Sequence, residues 1–331
     1  MRTQTRKINN VYIASTFSSV GKKEGNGPLG SYFDAIYTDD MLGQESWEMA
    51  ESTLIKNTIS GALTKAQKTP DEIDLMLAGD LLNQCTASSF GLKEMGIPFL
   101  GLYGACSTFA EGLCIGSMVI DGGFAENLAV ATSSHFCSSE KQYRFPLEYG
   151  EVRTPTSQWT VTGSGCAVLD RKNGFAKITR ATIGKMVDLG ITDANNMGAA
   201  MAPSAADTIY THFSETGLSP DDYDYIVTGD LAKVGSDILY ELLKQKGLDI
   251  TKNHLDCGNL IFDKETQKVD SGGSGCGCIA SVFCSLFASK LKQNELSKIL
   301  LIATGALMSP SSVLIGEPIT GIAHAVAIER I

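Results

Sequence analysis

The run Pro70-Asp71-Glu72-Ile73-Asp74-Leu75-Met76-Leu77-Ala78-Gly79-Asp80-Leu81-Leu82 has a counterpart later in the chain: Pro220-Asp221-Asp222-Tyr223-Asp224-Tyr225-Ile226-Val227-Thr228-Gly229-Asp230-Leu231-Ala232. Six of the 13 positions are identical, and the offset is 150 residues. Each copy opens on a Pro-Asp turn and runs into a continuous apolar stretch, the pattern of a buried parallel strand. Each follows a helical segment: Trp47 to Ala66, with Trp47, Ala50, Leu54, Thr58 and Ile59 at helical spacing, and Ala205 to Thr216.

A second echo follows in the same order. Gly104-Ala105-Cys106-Ser107-Thr108-Phe109-Ala110-Glu111-Gly112-Leu113 places small residues around one cysteine, where an apolar run (Ile97-Pro98-Phe99-Leu100) gives way to a helix-like segment through Met118, Val119 and Ile120. The strand-like Leu128-Ala129-Val130-Ala131-Thr132 comes next. In the second half, Gly275-Cys276-Gly277-Cys278 precedes Ile299-Leu300-Leu301-Ile302-Ala303-Thr304. Two α/β halves of one ancestry, residues 1–173 and 174–331, are the simplest account, joined near Asn173-Gly174. Packed face to face, they make a layered αβαβα body whose ligand sites lie beyond the carboxyl ends of the strands.

Composition fits this reading. The chain has 331 residues, 43% of them hydrophobic, with 34 glycines and nine prolines. That is enough for a large core with many tight strand–helix turns. A net charge of −10 argues against a nucleic-acid partner, which would want a basic face. Nine irregularly spaced cysteines without a Cys-x-x-Cys pair argue against a disulfide scaffold or a structural zinc site, and for a reducing compartment. The polar N-terminus and the short Val11-Tyr12-Ile13-Ala14 run do not make a secretion signal. The longest apolar stretch, Ile299 to Leu307, is too short to span a bilayer. Gly272 to Gly277 lacks the Gly-Lys-Ser/Thr of a phosphate loop, and no cofactor is called for.

Cys106 is the chemical centre. At a helix N-terminus the dipole would lower the thiol pKa and make a nucleophile. The plainer reading is a small, buried cysteine at a tight turn. Free N–H groups at the helix ends after Cys106 and Cys276 would suit an anionic ligand, with hydroxyls from Ser107, Thr108 and Ser274. His324, in Gly321-Ile322-Ala323-His324, either points at the thiol or is a hydrogen-bonded core histidine. His135 favours the core. Arg144 either clamps a carboxylate or is solvated or at an interface. Asp80 and Asp230 suit helix capping, with Asp80 kept as a site candidate and calcium coordination open to both.

The ordered motifs resemble a known family. Gly27-Pro28-Leu29-Gly30, Trp47-Glu48-Met49-Ala50-Glu51, Ala78-Gly79-Asp80-Leu81-Leu82-Asn83-Gln84, Gly104-Ala105-Cys106-Ser107-Thr108, Ala131-Thr132-Ser133-Ser134-His135, Val161-Thr162-Gly163-Ser164-Gly165, Asp188-Leu189-Gly190-Ile191-Thr192-Asp193, Gly272-Gly273-Ser274-Gly275-Cys276 and Ile322-Ala323-His324 are similar to the stage V sporulation protein AD family of spore-forming bacteria. Its fold is the thiolase-like one, shared with ketoacyl-carrier-protein synthases. The resemblance implies a binding protein for dipicolinic acid (pyridine-2,6-dicarboxylate), alone or as its calcium chelate. It implies work with membrane subunits of the stage V sporulation A complex, peripheral placement at the spore inner membrane, and a role in loading the spore and in germination. Homodimerisation is expected by analogy with the fold.

Condensation in that fold needs a cysteine with two His, or His and Asn, as partners. Cys106 matches the nucleophile. Thr228-Gly229-Asp230 stands where the synthases carry His, and Gly272-Gly273-Ser274 near their Asn. The expectation is a degenerate, non-catalytic cleft. The alternatives are an acyl-transferring enzyme using Cys106 with a base such as His324, and a scaffold for membrane partners with a vestigial cleft.

Overall fold

The computed structural model describes residues 3–143 and 153–331. The first half contains β1 (Thr5–Lys7), β2 (Tyr12–Gly21), α1 (Lys22–Gly25), β3 (Ala35–Tyr37), α2 (Trp47–Lys65), β4 (Leu75–Gly79), α3 (Thr86–Leu92), β5 (Phe99–Gly101), α4 (Thr108–Asp121), β6 (Asn127–Ser134), α5 (Phe136–Tyr143), β7 (Gln158–Thr160) and β8 (Gly163–Asp170). The second contains β9 (Ala176–Ile183), α6 (Met197–Thr216), β10 (Tyr225–Thr228), α7 (Ala232–Gln245), β11 (His254–Asp256), α8 (Cys257–Leu260), α9 (Lys264–Gln267), β12 (Gly272–Ser274), α10 (Cys276–Val282), α11 (Ala288–Lys292), β13 (Lys298–Leu307), α12 (Pro310–Leu314) and β14 (Thr320–Arg330).

The strands run in the order β11-β10-β13-β14-β9-β2-β8-β6-β4-β5, with β1 on β9 and β3 on β2. Outward from the β2–β9 pairing, both halves show the same order: first, last, fourth, second and third major strand. The two meet antiparallel, Tyr12 opposite Lys177. Helices α2 and α3 cover one half-sheet, and α6 and α7 the other. Helix α4 packs between its own β4 and β6 and the far half's β13 and β14, while α10 packs on β6 and β8. The thiolase-like αβαβα layering follows. Phe109 of α4 and Phe283, fully buried, meet across this central layer with ring centroids 5.9 Å apart.

The repeated sequence does repeated work. Thr69 with Glu72, and Ser219 with Asp222, form capping boxes around the two Pro-Asp turns. Two residues on, Asp74 accepts from the backbone N–H groups of Glu126 and Asn127 (2.8 and 3.0 Å), which fixes the start of β6. Asp224 accepts from Ser297 and Lys298 (2.6 and 2.8 Å) at the start of β13. A turn residue thus sets the register of the neighbouring parallel strand in both halves.

Helix α6 begins eight residues before the expected Ala205. Its N-cap is Asn196, whose side chain accepts from Ala199 N–H, and Pro203 lies buried inside it. Proline costs a helix heavily. Here the surrounding small residues pack under β13 and β14, and that burial holds the extra turns.

Candidate functional site

The turn at Gly104–Ser107 builds the site. Ala105 sits at φ +51°, a left-handed conformation that a non-glycine residue adopts only under constraint. Ser107 Oγ donates to the Gly104 carbonyl (2.7 Å), and Thr108 Oγ1 donates to the Ala105 carbonyl (2.7 Å) while accepting from Gly104 N–H (2.9 Å). Ser107 and Thr108 therefore hold the turn that presents Cys106. Gly305 of β13 lies against it: a Cβ there would stand 2.3 Å from the Gly104 carbonyl oxygen.

The matching turn at Gly275, φ +108°, starts α10 and brings Ser274 to the same place. Cys106 Sγ lies 3.8 Å from Ser274 Oγ. Ser274 Oγ donates to Asp230 Oδ2 (2.9 Å), Gly275 N–H donates to the same oxygen (3.0 Å), and Thr304 Oγ1 donates to Oδ1 (2.7 Å). Asp230 therefore caps neither α7, as expected, nor α10; it accepts from the N–H of Gly275, the residue before α10, and from the Ser274 and Thr304 hydroxyls, and so braces the turn that presents Ser274. The α7 entry is held by Asp256, which accepts from Leu231 and Ala232 N–H (2.9 Å each).

A lowered thiol pKa, expected from the helix end, does not occur. Burial drives the Cys106 pKa well up, and the Asp230 carboxyl beside it pushes in the same direction. Together they outweigh a dipole worth about 1 kcal/mol. Nor are the helix ends open to an anion in the way expected. Ser107 and Thr108 N–H donate to Gly104 and Ala105 carbonyls, Gly275 N–H to Asp230, and Gly277 N–H to Ser134 Oγ.

The four histidines are engaged elsewhere. His324 is buried, its Nδ1 accepts from Gly184 N–H (3.3 Å), and burial lowers its pKa to about 4. His135 Nδ1 accepts from Cys137 N–H, so Nε2 donates to the Asp40 carbonyl (2.8 Å). His212 lies between Thr182 and Tyr223, and His254 between Thr228 and Tyr240. Asp80 accepts from Leu82 N–H (2.9 Å) and Ser88 N–H (2.8 Å) and so anchors the approach to α3. Arg144 lies outside the described residues.

Cys106 and Ser274 line a cavity of about 190 Å³. Leu81, Tyr143, Met308 and Val313 give it apolar wall, and Gln158, Thr160, Asn195 and Glu140 give it polar wall. Ser107, Thr108, Asp80 and His324 lie outside the lining. Tyr143 is oriented by its hydroxyl, which donates to the Leu81 carbonyl (2.8 Å). Gln158 donates through Nε2 to the Asp230 carbonyl. The side chains of Asn195 and Thr160 form no hydrogen bond among the described residues. Glu140 pairs with Arg153 (3.5 Å), which also reaches Asp270 (3.4 Å) and stacks over Trp159. No motif or periodicity pointed to Tyr143, Gln158, Thr160 or Asn195, because they come from connections outside the repeated core. Among the described residues no group of three His, Cys, Asp or Glu side chains could hold a metal ion.

The family model for stage V sporulation protein AD matches residues 2–329. The chain belongs to that family. Stage V sporulation protein AD of Bacillus subtilis (strain 168) is 46% identical over 320 residues, covering 97% of this chain and 94% of that protein. Among solved structures, 3-oxoacyl-[acyl-carrier-protein] synthase III from Aquifex aeolicus VF5 superposes with a TM-score of 0.58 at 16% identity, covering 97% of this chain and 100% of the other. A single-substitution variant of Xanthomonas campestris OleA gives 0.61 at 13% identity, covering 98% and 99%. The tetronic acid condensing enzyme AbyA1 gives 0.60 at 17% identity, covering 96% and 99%. At these identities the likeness is one of fold, and membership in the sporulation family is what places the chain biologically. No helix among the described residues is long and apolar enough to cross a membrane.

Proposed function

We propose that this protein is a non-catalytic binding protein for dipicolinic acid, taken alone or as its calcium chelate, that serves loading of the developing spore and release at germination. It would work at the spore inner membrane with the membrane subunits of the stage V sporulation A complex, as a homodimer. The observation that carries the reading is the state of the sulfur: Cys106 faces Ser274 and Asp230, and burial keeps it a thiol. An acyl-transfer nucleophile needs a base and oxyanion donors, and loss of one donor alone costs roughly a hundredfold to a thousandfold in rate. The cavity is small, with a flat aromatic and aliphatic wall for a ring and the uncommitted Asn195 amide and Thr160 hydroxyl for carboxylate oxygens. The lining among the described residues has no Lys or Arg, so a dianion would be held by neutral donors, and a calcium chelate, which carries no net charge, fits that lining with less desolvation cost.

The test is calorimetry of the purified protein with dipicolinate, with and without calcium. Stoichiometric heat is expected, and Asn195→Leu weakens it by roughly tenfold, the value of a hydrogen bond to a charged group. No heat and no thermal shift at millimolar ligand would overturn the reading. The second reading, acyl transfer by Cys106, is favoured by the strained Ala105 turn and the condensing-enzyme fold. It requires a covalent mass increment on Cys106 after incubation with acyl-CoA thioesters.

A further inference from the structure

Two oxygens on residues that line the Cys106 cavity have nothing to bond. Gln158 and Ser139 both belong to the lining and are only 2 and 3% exposed. Gln158 Oε1 and Ser139 Oγ are buried and meet no hydrogen-bond partner. The Gln158 amide cannot turn over to cure this. Its Nε2 donates to the Asp230 carbonyl, which can only accept, so Oε1 is left on the other side. A buried polar atom without a partner destabilises a fold, and native proteins keep few of them. Two in the lining of one cavity mark a place that a ligand completes.

The elements that carry these atoms are joined. Arg153 pairs with Glu140, the neighbour of Ser139 on α5 (3.5 Å), and its guanidinium donates to the backbone carbonyl of Gln158 on β7. Phe136 of α5 stacks on Trp159 of β7 with ring centroids 4.0 Å apart. Ser139, Glu140 and Gln158 thus give the cavity a flank of acceptors: a hydroxyl, a carboxylate and an amide carbonyl. No Lys or Arg among the described residues lines the cavity to balance it. Free dipicolinate is a dianion with no N–H or O–H to offer, and its own lone pairs are repelled by this flank. Calcium reverses the sign. It takes roughly six to eight donors, oxygen by preference, and dipicolinate fills only about half of them through its ring nitrogen and one oxygen of each carboxylate. Side-chain amide oxygens and hydroxyls can take the places otherwise left to water.

We infer that Gln158 Oε1 and Ser139 Oγ ligate the calcium of the bound chelate directly, in place of water, while the outer carboxylate oxygens meet Asn195 and Thr160. The inference rests on dipicolinate as the ligand of this cavity. The ion enters as cargo and not as a resident metal. Two neutral oxygens do not hold it bare, and the described residues contain no group of three His, Cys, Asp or Glu that would.

The experiment uses the full chain with four probes: calcium dipicolinate, terbium dipicolinate, dipicolinate with EGTA, and calcium alone. Terbium luminescence decays faster for each water on the metal, so lifetimes in light and heavy water count those waters. Binding to the wild type lowers the count by roughly two, one for each protein oxygen. Ser139→Ala and, separately, Gln158→Met return about one water each and weaken calcium dipicolinate by roughly tenfold in calorimetry, a larger loss than for dipicolinate with EGTA. Calcium alone gives no heat. Gln158→Met also removes the bond to Asp230, whereas Ser139→Ala deletes an oxygen with no partner in the protein, so its melting temperature does not fall below that of the wild type. An unchanged water count beside clear heat, heat from calcium alone, or equal losses for the chelate and for dipicolinate with EGTA overturns the inference and leaves dipicolinate as the ligand. No heat with any form of dipicolinate overturns both.

Discussion

Cys106 shows why a residue's chemistry is decided by its neighbours more than by its position on a helix. Its turn, with Ala105 at φ +51°, resembles the setting of a nucleophile, yet burial and Asp230 keep the proton on sulfur. Alkylation of Cys106 by iodoacetamide at pH 8 is therefore expected to be at least roughly a hundredfold slower in the folded chain than in urea, because only thiolate reacts. Peptide mass mapping over time checks it, and rapid labelling would point to an activated thiol. Glu24 makes a second residue-level case. Burial raises its carboxyl pKa to about 7, against attraction from Lys23 and a hydrogen bond donated by Thr162 N–H. The folded chain thus keeps a proton that the unfolded chain has released, and wild-type stability falls as pH rises from about 4.5 to about 7. Gln cannot titrate, so the melting temperature of Glu24→Gln relative to the wild type moves in the variant's favour across that window. A gap that stays constant or moves the other way contradicts the assignment.

At the scale of elements, the paired turns carry the clearest message. Asp74 and Asp224 occupy equivalent places and each holds two N–H groups at the start of the neighbouring parallel strand. Asp74→Ala and Asp224→Ala are each expected to cost about 1 kcal/mol, and the double variant about the sum, because the sites share no partner. Chemical denaturation measures this, and strong non-additivity would mean that the halves couple through these turns. These elements were legible because their signals are local: Pro-Asp turns, apolar runs and an offset of 150 residues. The early start of α6 was not, since Pro203 reads as a stop and only tertiary packing admits it. The cavity wall was still less so. Tyr143, Gln158, Thr160 and Asn195 come from loops, short strands and a helix end without periodicity, and their meeting depends on how two half-sheets face each other. Asp230 reads from its place after a strand as a helix cap, whereas its partners, Ser274, Gly275 and Thr304, lie 44 to 74 residues away in sequence and brace a turn instead.

On the scale of the whole molecule, duplication explains both the cleft and its chemistry. Two equivalent turns, at Cys106 and at Cys276, meet at the centre of five layers, and each half presents a helix entry to the other. In this chain the second half brings Ser274, backed by Asp230 and Thr304, to the sulfur. On the proposed reading, this thiol, set among neutral and acidic groups in a small cavity, holds a small ring without transforming it. The most direct test is a crystal structure of the protein grown with dipicolinate. The account predicts unbroken density for an unmodified ligand in the cavity between Tyr143, Asn195 and Ser274, with the Cys106 sulfur unmodified. Density joined covalently to that sulfur, or a ligand bound elsewhere with this cavity filled by protein side chains, would contradict it.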